Sequence, residues 1–420
     1  MTGGRRTGRL GELRTRHAEV LGVGAVVLVL SMLAFVRIPL LPELGDELSM
    51  SAADLGLMTT VFAVGRLCAD IPAGRLSDLG STGWMLAGAG ALLGVASLVL
   101  AVAQVSGVVL AAAFLLGVSS ATVNTTGMVY FAEHATTERR GRSMAGFSAA
   151  LLGGQALGPT MGGVLAAWWG WRTSFAVAAG TAGAVAAVLA YRTLRRRRET
   201  AAGGSEDGAA SPASHGLPLR EQVILYSVPF VMFFAFGAMP QTLVPIIGAD
   251  DLDLDVGVIG LLLGVAGLCK FIGAMVGGTI SDRVSRKAAL VPGLLGQAAG
   301  VGLLAIEGAL WAWVAALVVM SLASFAIGVA ATMLVDRTQG RRAGRRLGPF
   351  RFAGDLGLIA GPVTASLVYE HWGQRPAALL VTALALACAL AATVGLRETR
   401  WLDAAPAPRF RTAGLSGEEQ

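Results

Sequence analysis

Long apolar runs separated by short polar connections recur about twelve times along the 420-residue chain. A run of roughly 20 apolar residues is long enough to cross a hydrocarbon core about 30 Å thick as a helix. Only helical bundles and closed barrels satisfy the backbone inside a bilayer, and unbroken apolar runs lack the alternation of barrel strands. The pattern therefore predicts an all-α membrane protein with twelve transmembrane helices. The predicted spans are 19–40, 55–77, 84–104, 107–131, 143–167, 173–191, 222–246, 256–280, 288–306, 310–334, 349–370 and 376–396.

The composition supports this prediction, since only 14% of the residues are charged, against about 25% in soluble domains. A basic leader runs into the first span without a small-residue cleavage site, so we expect an uncleaved first helix. The three cysteines, Cys68, Cys269 and Cys388, all lie inside predicted spans. We therefore expect no disulfide and no metal site.

Charge is distributed unevenly between the connections. Acidic residues such as Glu43, Asp46 and Glu47 occupy every second connection, whereas clustered basic residues occupy the others. This is the positive-inside pattern, and it predicts a multi-pass protein of the cytoplasmic membrane with both termini in the cytoplasm. It also accounts for the net charge of +6 without a nucleic-acid partner. The residues of the basic connections are Arg139, Arg140, Arg142, Arg192, Arg195 to Arg198, Arg283, Arg286, Lys287, Arg337, Arg341, Arg342, Arg345 and Arg346.

An internal repeat relates the two halves of the chain at an offset of 203 to 204 residues. The repeated pairs are Gly74 and Gly278, Asp78 and Asp282, Arg66 and Lys270, Pro42 and Pro245, Pro159 and Pro362, Trp169 and Trp372, and Glu133 and Asp336. Six spans on each side of a polar linker give two six-helix bundles of the same orientation. The predicted division is a basic N-terminus at 1–18, bundles at 19–192 and 221–398, a cytoplasmic linker at 193–220 and a tail at 399–420.

The connection between predicted helices 8 and 9 carries a compact charged motif, Gly278-x-x-x-Asp282-Arg283-x-x-Arg286-Lys287. Together with the two sets of six spans and the basic central linker, this motif resembles the major facilitator superfamily over roughly residues 19–400. The resemblance implies a gating element that joins the two bundles at the cytoplasmic side in the outward-open state. The alternative is a tight turn with charges that stop translocation.

In the proposed gating element, the glycine permits close helix approach and the bases pair with acids at helix ends. Glu133 and Asp336 are the predicted partners. The first copy of the motif keeps Gly74 and Asp78 but has Leu79 in place of an arginine. We therefore expect a weaker contact from the N-terminal half.

The fifth predicted helix carries a glycine-rich pattern that is similar to the antiporter motif of the same family. Its residues are Gly154, Gly158, Pro159, Gly162 and Gly163. Small residues let helices approach closely, and the proline removes one backbone donor and allows a bend. The alternative is ordinary glycine-rich packing. Helix 4 departs from proton-coupled members of the family, since Ala113 stands where an arginine is common.

Two base–acid pairs at helical spacing are candidates for proton coupling. Arg66 and Asp70 lie near the middle of predicted helix 2, and Arg351 and Asp355 lie in helix 11. Ionisable residues inside a bilayer are costly and therefore indicate function by default. Each pair could instead be a permanent ion pair that braces its helix.

Further polar residues in the spans are candidates for the wall of a substrate cavity: Lys270, Asn124, Thr125, Gln155, Gln241 and Arg37. Each could equally cap or brace a helix. Prolines at 39, 42, 240 and 245 predict broken outer ends of helices 1 and 7.

The sequence lacks the common protease, esterase and nucleotide-binding motifs, so we predict a transporter and not an enzyme. The resemblance implies a monomeric drug:proton antiporter that exports amphipathic small molecules, of the multidrug-exporter type. Its partners would be the substrate, protons and membrane lipid. The proton gradient would supply energy, and no cofactor would be needed. The alternatives are a symporter or facilitator that imports a polar metabolite, and a transporter-like sensor.

Overall fold

The computed structural model describes residues 4–78, 82–133, 140–199, 219–336 and 343–396. These residues form helices joined by short turns, with no strand among them. The helices are α1 (Gly4–Phe35), α2 (Leu41–Leu48), α3 (Ala52–Asp78), α4 (Thr82–Val102), α5 (Ser106–Glu133), α6 (Arg140–Trp169), α7 (Trp171–Glu199), α8 (Leu219–Ala238), α9 (Val244–Asp250), α10 (Val256–Arg283), α11 (Arg286–Leu303), α12 (Leu310–Ala323), α13 (Ala326–Asp336), α14 (Ala343–Trp372) and α15 (Gln374–Gly395), with a π-helical turn at Met239–Leu243 between α8 and α9.

Within the described ranges, nine helical segments are long and apolar enough to cross a membrane. The apolar part of α1, Glu19–Phe35, is shorter. Helix α6 contains many glycines, and α11 has 18 residues and begins with Arg286 and Lys287, so both have a lower mean hydropathy. Counted with these three, the chain has the twelve predicted crossings, and the all-α fold class is confirmed.

Proline breaks the first and seventh crossings as the sequence predicts. A turn separates α1 from α2, with Pro42 in the first turn of α2. The π-helical turn contains Pro240, and Pro245 lies in the first turn of α9. A third break, between α12 and α13 at Ser324, was not predicted because no proline or glycine marks it.

The repeat is visible in the backbone as well as in the sequence. Gly170 follows α6 with φ +80°, and Gly373 follows α14 with φ +85°. Only glycine adopts this left-handed region readily, so each Trp-Gly pair ends one helix and starts the next. The two halves thus turn at equivalent places.

Most packing lies within each half, for instance α3 against α5 and α8 against α14. Most of the contact between the halves is made by two helix pairs, namely α3 with α14 and α6 with α10. At the first crossing, a Cβ added to Gly56 would lie 2.8 Å from the Pro362 carbonyl oxygen. At the second, a Cβ added to Gly260 would lie 2.5 Å from the Pro159 carbonyl oxygen. Because the repeat relates these residues, both crossings have the same construction.

The helices place the charged connections at opposite ends of the molecule. We call the end with α2 and α9, including Glu43, Asp46, Glu47 and Asp250, the acidic end. The end at which α3, α7 and α10 finish, with Arg75, Arg192 and Arg283, is the basic end.

Candidate functional site

A cavity of about 680 Å³ lies between the two halves. Its wall runs from Gln241, next to α9, to Ser281 and Arg286 at the basic end. Toward the acidic end the two crossings close the interface, since the Ala53 amide there donates a 2.9 Å hydrogen bond to Glu370 of the other half. The cavity is therefore accessible from the basic end and closed at the acidic end.

The cavity wall is mainly apolar, with the phenylalanines Phe35, Phe62, Phe233, Phe236 and Phe325. Its polar side chains are Arg66, Asn124, Gln155, Gln241, Lys270, Ser281, Arg286, Ser324 and Thr332. Among the described residues of this wall there are three cations and no aspartate or glutamate. An apolar cavity with few polar groups is the usual form of a site for a small organic molecule.

Arg37 lies just beyond the cavity, toward the acidic end. Only 2% of its surface is exposed, and its guanidinium donates a 2.8 Å hydrogen bond to the side-chain oxygen of Gln241 in the other half. It also donates to the hydroxyl of Thr59 at 3.4 Å and stacks over the Phe62 ring at 4.2 Å. Arg37 and Gln241 lie in the broken outer ends of the first and seventh crossings, which the repeat relates. The structure thus places Arg37 at the junction of the halves and not on the cavity wall.

The base–acid pair of α3 does not form an ion pair. Arg66 donates to the Ser120 hydroxyl at 2.9 Å, and the Asp70 carboxylate accepts from the Thr125 hydroxyl at 3.0 Å. Both partners lie on α5 of the same half. The sequence missed Ser120, because its contact with Arg66 joins residues 54 positions apart.

The four proton-coupling candidates nevertheless come together. Asp355 on α14 lies within electrostatic range of Arg66, Asp70 and Arg351. Arg351 is exposed and donates to the Met128 sulfur at 3.8 Å, and among the described residues it forms no ion pair with Asp355. The α3–α14 crossing therefore brings two carboxylates and two guanidinium groups to one interface between the halves.

Lys270 on α10 lines the cavity on the opposite side. Its ammonium lies 4.2 Å from the centroid of the Phe236 ring, and no carboxylate among the described residues forms an ion pair with it. A cation–π contact contributes about 0.5–2 kcal/mol, less than the several kcal/mol that a buried ion loses on leaving water. The charge of Lys270 is therefore only partly compensated by the protein.

The charged motif at the basic end lies within one half. Arg286 donates to the Ser281 hydroxyl at 2.9 Å, and the Lys287 ammonium donates to the carbonyl oxygens of Thr393 at 2.6 Å and Leu396 at 2.9 Å, at the end of α15. Cations are favourable at helix C-termini. Arg283 is exposed. The side chains of Asp78, Glu133, Asp282 and Asp336 lie outside the described residues, as do Leu79 and most of the linker and tail.

The glycines of this motif are not in close helix contact here. A Cβ added to Gly278 would meet nothing within 4 Å, and one added to Gly74 would meet only a methyl group at 4.0 Å. The predicted close approach at these positions is therefore absent from this conformation. The reason is that both glycines lie at the basic end, where the halves are apart.

The glycines of α6 do lie in close contact. A Cβ added to Gly154 would lie 2.8 Å from Ser31 of α1, and one added to Gly158 would lie 2.8 Å from Phe35. Gly162 faces the backbone of Val36, and Gly163 faces Gly260 of α10. Helix α6 therefore packs against α1 in its own half and α10 in the other half.

An ionic network at the acidic end was also missed. The Glu47 carboxylate accepts from Arg172 at 2.7 Å and from the Trp171 indole at 2.6 Å, which joins α2 to α7. The hydrogen bonds from Arg172 and Trp171 hold the pKa of Glu47 below its ordinary value. The repeated Trp-Gly-x-Arg sequence was a signal for this place, although it did not identify the acid.

In the described part of the chain, no group of three or more histidine, cysteine or acidic side chains is arranged to hold a metal ion.

A family model described as Major Facilitator Superfamily matches residues 23–255 and 230–416.

Curated relatives match parts of the chain. The class C tetracycline resistance protein of Escherichia coli is 31% identical over 109 residues, which is 26% of this chain and 28% of that protein. Multidrug resistance protein MdtG of Yersinia enterocolitica is 25% identical over 139 residues, 33% of this chain and 34% of that protein. The chain therefore aligns with well under two thirds of the length of these relatives.

Solved structures match nearly the whole chain in fold. A bacterial homologue of the human lysosomal transporter Spinster, in an inward-facing and occupied conformation, gives a TM-score of 0.76 at 14% identity, over 90% of this chain and 96% of that one. A mutant of the nucleoside transporter NupG gives a TM-score of 0.67 at 12% identity, over 89% of this chain and 100% of that one. At these identities the likeness shows the fold alone.

Proposed function

Because this chain belongs to the major facilitator superfamily, and is thus a membrane transporter and not an enzyme, we propose that it exports amphipathic small molecules in exchange for protons. Export would proceed by alternating access, in which the central cavity opens to one side of the membrane at a time. Members of this family need no cofactor. The drug-resistance names of two partial relatives support the direction of transport.

The orientation follows from charge. The positive-inside rule assigns the basic end to the cytoplasm, which makes this conformation open to the cytoplasm and closed to the outside. In this proposal both termini, the linker 193–220 and the tail 399–420 are cytoplasmic, and the two bundles comprise residues 19–192 and 221–398. We propose that a single chain is the working unit, since the cavity lies between two halves of one chain.

The observation that supports proton coupling is that Asp70 of α3 and Asp355 of α14 lie within electrostatic range of each other where these helices cross. Burial favours the neutral form of a carboxyl group, and a nearby guanidinium favours the ionised form. When the halves separate at one end and approach at the other, both influences change for these two groups. Proton binding and release can therefore be linked to the side on which the cavity is open.

The charged motif at the basic end is proposed to act in the opposite conformation. Its open glycines, Gly74 and Gly278, leave room for the halves to approach there. The bases Arg283, Arg286 and Lys287 would then be available to acids of the other half, with Glu133 as the proposed partner. Asp336 would act within the C-terminal half.

The test is proton-driven transport in inverted membrane vesicles with an acidic interior. Addition of a transported compound should release protons and reverse the quenching of a pH-sensitive dye. Asp70→Asn and Asp355→Asn should each be compared with Glu307→Gln, an exposed carboxylate between α11 and α12. We expect the first two to abolish the signal and the control to retain it. Retention of full exchange in both aspartate variants would refute coupling at this crossing.

A facilitator that imports a polar metabolite is the second candidate. Asn124, Gln155 and Gln241 on the cavity wall favour it, because their amides can bind hydroxyl and carbonyl groups. This candidate predicts uptake that persists without a proton gradient. Gradient-independent uptake of a polar solute, with no response to amphipathic compounds, would establish it in place of export.

A further inference from the structure

The charge of the cavity indicates what kind of molecule it receives. The positive groups Arg66 and Lys270 are repeat-related, 204 residues apart, and lie on α3 and α10. Both line the cavity between the halves. The duplication thus directs one cation from each half toward the same space.

The acids near these two cations are not duplicated. Arg66 has Asp70 one helical turn away and Asp355 within electrostatic range. The position equivalent to Asp70 on α10 is Ala274, at an offset of 204, and the position equivalent to Asp355 on α6 is Leu152, at an offset of 203. Both of these uncharged residues line the cavity. The space beside Arg66 therefore contains acids, whereas the equivalent positions beside Lys270 contain none. The remaining cation of the wall, Arg286, lies at the basic end.

The surroundings of Lys270 are aromatic and aliphatic. Its ammonium contacts the Phe236 ring, and Phe233, Leu152 and Phe35 belong to the same wall. A ligand that brings a negatively charged group to the ammonium and apolar surface to the phenylalanines would complement both features. A lipophilic cation would instead face like charge, since no carboxylate lines the described wall.

We propose that the cavity binds amphipathic organic anions, whose carboxylate, sulfonate or phosphate group contacts Lys270 while an apolar body packs against Phe233 and Phe236. This inference rests on the proposed transport function only in that the cavity is the place where the transported molecule binds. It narrows the substrate class from amphipathic compounds in general to anions. The α3–α14 crossing remains free to carry the proton.

The chain offers an internal control for a binding test, because its only lysines are Lys270 and Lys287. The purified full-length protein is treated with an amine-reactive acylating reagent, and modification of each lysine is measured by mass spectrometry. The ligands are naphthalene, biphenyl and indole bodies, each bearing a carboxylate, a neutral amide or an ammonium group. We expect carboxylates to slow modification of Lys270 and to leave Lys287 unchanged, and we expect ammonium compounds to protect neither.

Variants of Lys270 distinguish the contribution of its positive charge to ligand binding from that of its side-chain size. Loss of a charge-assisted hydrogen bond in Lys270→Gln should weaken carboxylate binding by about tenfold or more, with little effect on the amides. Lys270→Arg should retain carboxylate binding, and Arg192→Gln, an exposed cation of α7, should change nothing. These variants are compared by ligand binding alone, so the result does not depend on transport activity.

Two results would overturn the anion site. One is equal protection of Lys270 by ammonium and carboxylate members of the panel, and the other is no protection by any carboxylate. Failure of the export proposal gives a different result, in which carboxylates bind at Lys270 but release no protons from vesicles. The two proposals can therefore fail independently.

Discussion

Arg37 connects the two halves through one uncharged partner. Its guanidinium is buried, and the 2.8 Å hydrogen bond to Gln241 must break if the acidic end opens. Because the acceptor is a neutral amide, breaking this hydrogen bond costs less free energy than breaking an ion pair would. The connection can therefore open and close during transport. A carboxylate in the same place would make the connection stronger.

Gln241→Glu is expected to hold the acidic end closed. A carboxylate at position 241 would add ion-pair attraction to a bond whose donor is already charged, and about 1.4 kcal/mol of added attraction corresponds to tenfold in an equilibrium. The outward-open population should therefore fall by about tenfold or more. In a background without Cys68 and Cys269, the measurement is labelling of Ala53→Cys by an impermeant maleimide from the outside. The Gln241→Met variant should be labelled at least as fast as the parent, and equal labelling in Gln241→Glu would contradict this role.

Glu47 gives a prediction of pH dependence outside the membrane spans. Its pKa in the folded protein is lowered by Arg172 and Trp171. The ionised form therefore stabilises the fold above the ordinary glutamate pKa of about 4.3. This stabilisation is lost as the pH falls through the lowered value of the folded state.

Apparent unfolding temperatures of the wild type and Glu47→Gln should accordingly differ most near neutral pH and converge in acid. Glu307→Gln, which lies on an exposed turn and has no hydrogen-bond partner among the described residues, should have little effect at neutral pH. A difference for Glu47→Gln that grows on acidification would show that the sign is wrong.

At the scale of the elements, each of the two crossings depends on a glycine that lies against the partner helix. Gly56 of α3 faces Pro362 and Ser366 of α14, and Gly260 of α10 faces Pro159 and Gly163 of α6. Helix backbones in membranes associate closely through small residues. Side chains larger than hydrogen at these positions should separate the halves at the acidic end.

Gly260→Leu is expected to favour the outward-open conformation. Overpacking typically costs about 1–3 kcal/mol, and this cost falls on the closed acidic end alone. Labelling of Ala53→Cys from the outside should therefore increase, the opposite of the change expected for Gln241→Glu, and transport should decline. The matched control is Gly88→Leu on α4, where a Cβ would meet nothing within 4 Å. Unchanged labelling in Gly260→Leu would contradict the role of this crossing.

The sequence predicted the elements better than their contacts. Apolar runs predicted the twelve crossings, and prolines predicted the breaks after α1 and α8 because both signals are local. The bonds from Arg66 to Ser120 and from Thr125 to Asp70 join residues 54 and 55 positions apart. The spacing of four residues between Arg66 and Asp70 is a local pattern, and it predicted that these two would pair with each other instead. The open surroundings of Gly74 and Gly278 depend on conformation, which a sequence motif does not specify.

At the scale of the whole molecule, the repeat makes the two ends of the interface interdependent. The same four helices, α3, α6, α10 and α14, form both crossings and run from the acidic end to the basic end. Rigid halves cannot be closed at both ends while the cavity is open. Fixing the acidic end should therefore prevent transport even though the cavity stays accessible from the basic end.

A cross-link between Ala53→Cys and Glu370→Cys is expected to stop transport, because these residues join α3 to α14 through a 2.9 Å hydrogen bond. That bond runs from a backbone amide to the end of a glutamate side chain, so the cross-link is made with a short reducible bis-thiosulfonate reagent and not as a direct disulfide. Cross-linking should abolish proton release in vesicles, and a reductant should restore it. The matched control is Ser227→Cys with native Cys388, since the present oxygen and sulfur are 3.6 Å apart. That cross-link would join α8 to α15 inside one half and should leave transport intact. Undiminished transport in the cross-linked Ala53→Cys, Glu370→Cys protein would show that separation of the acidic end is not part of the cycle.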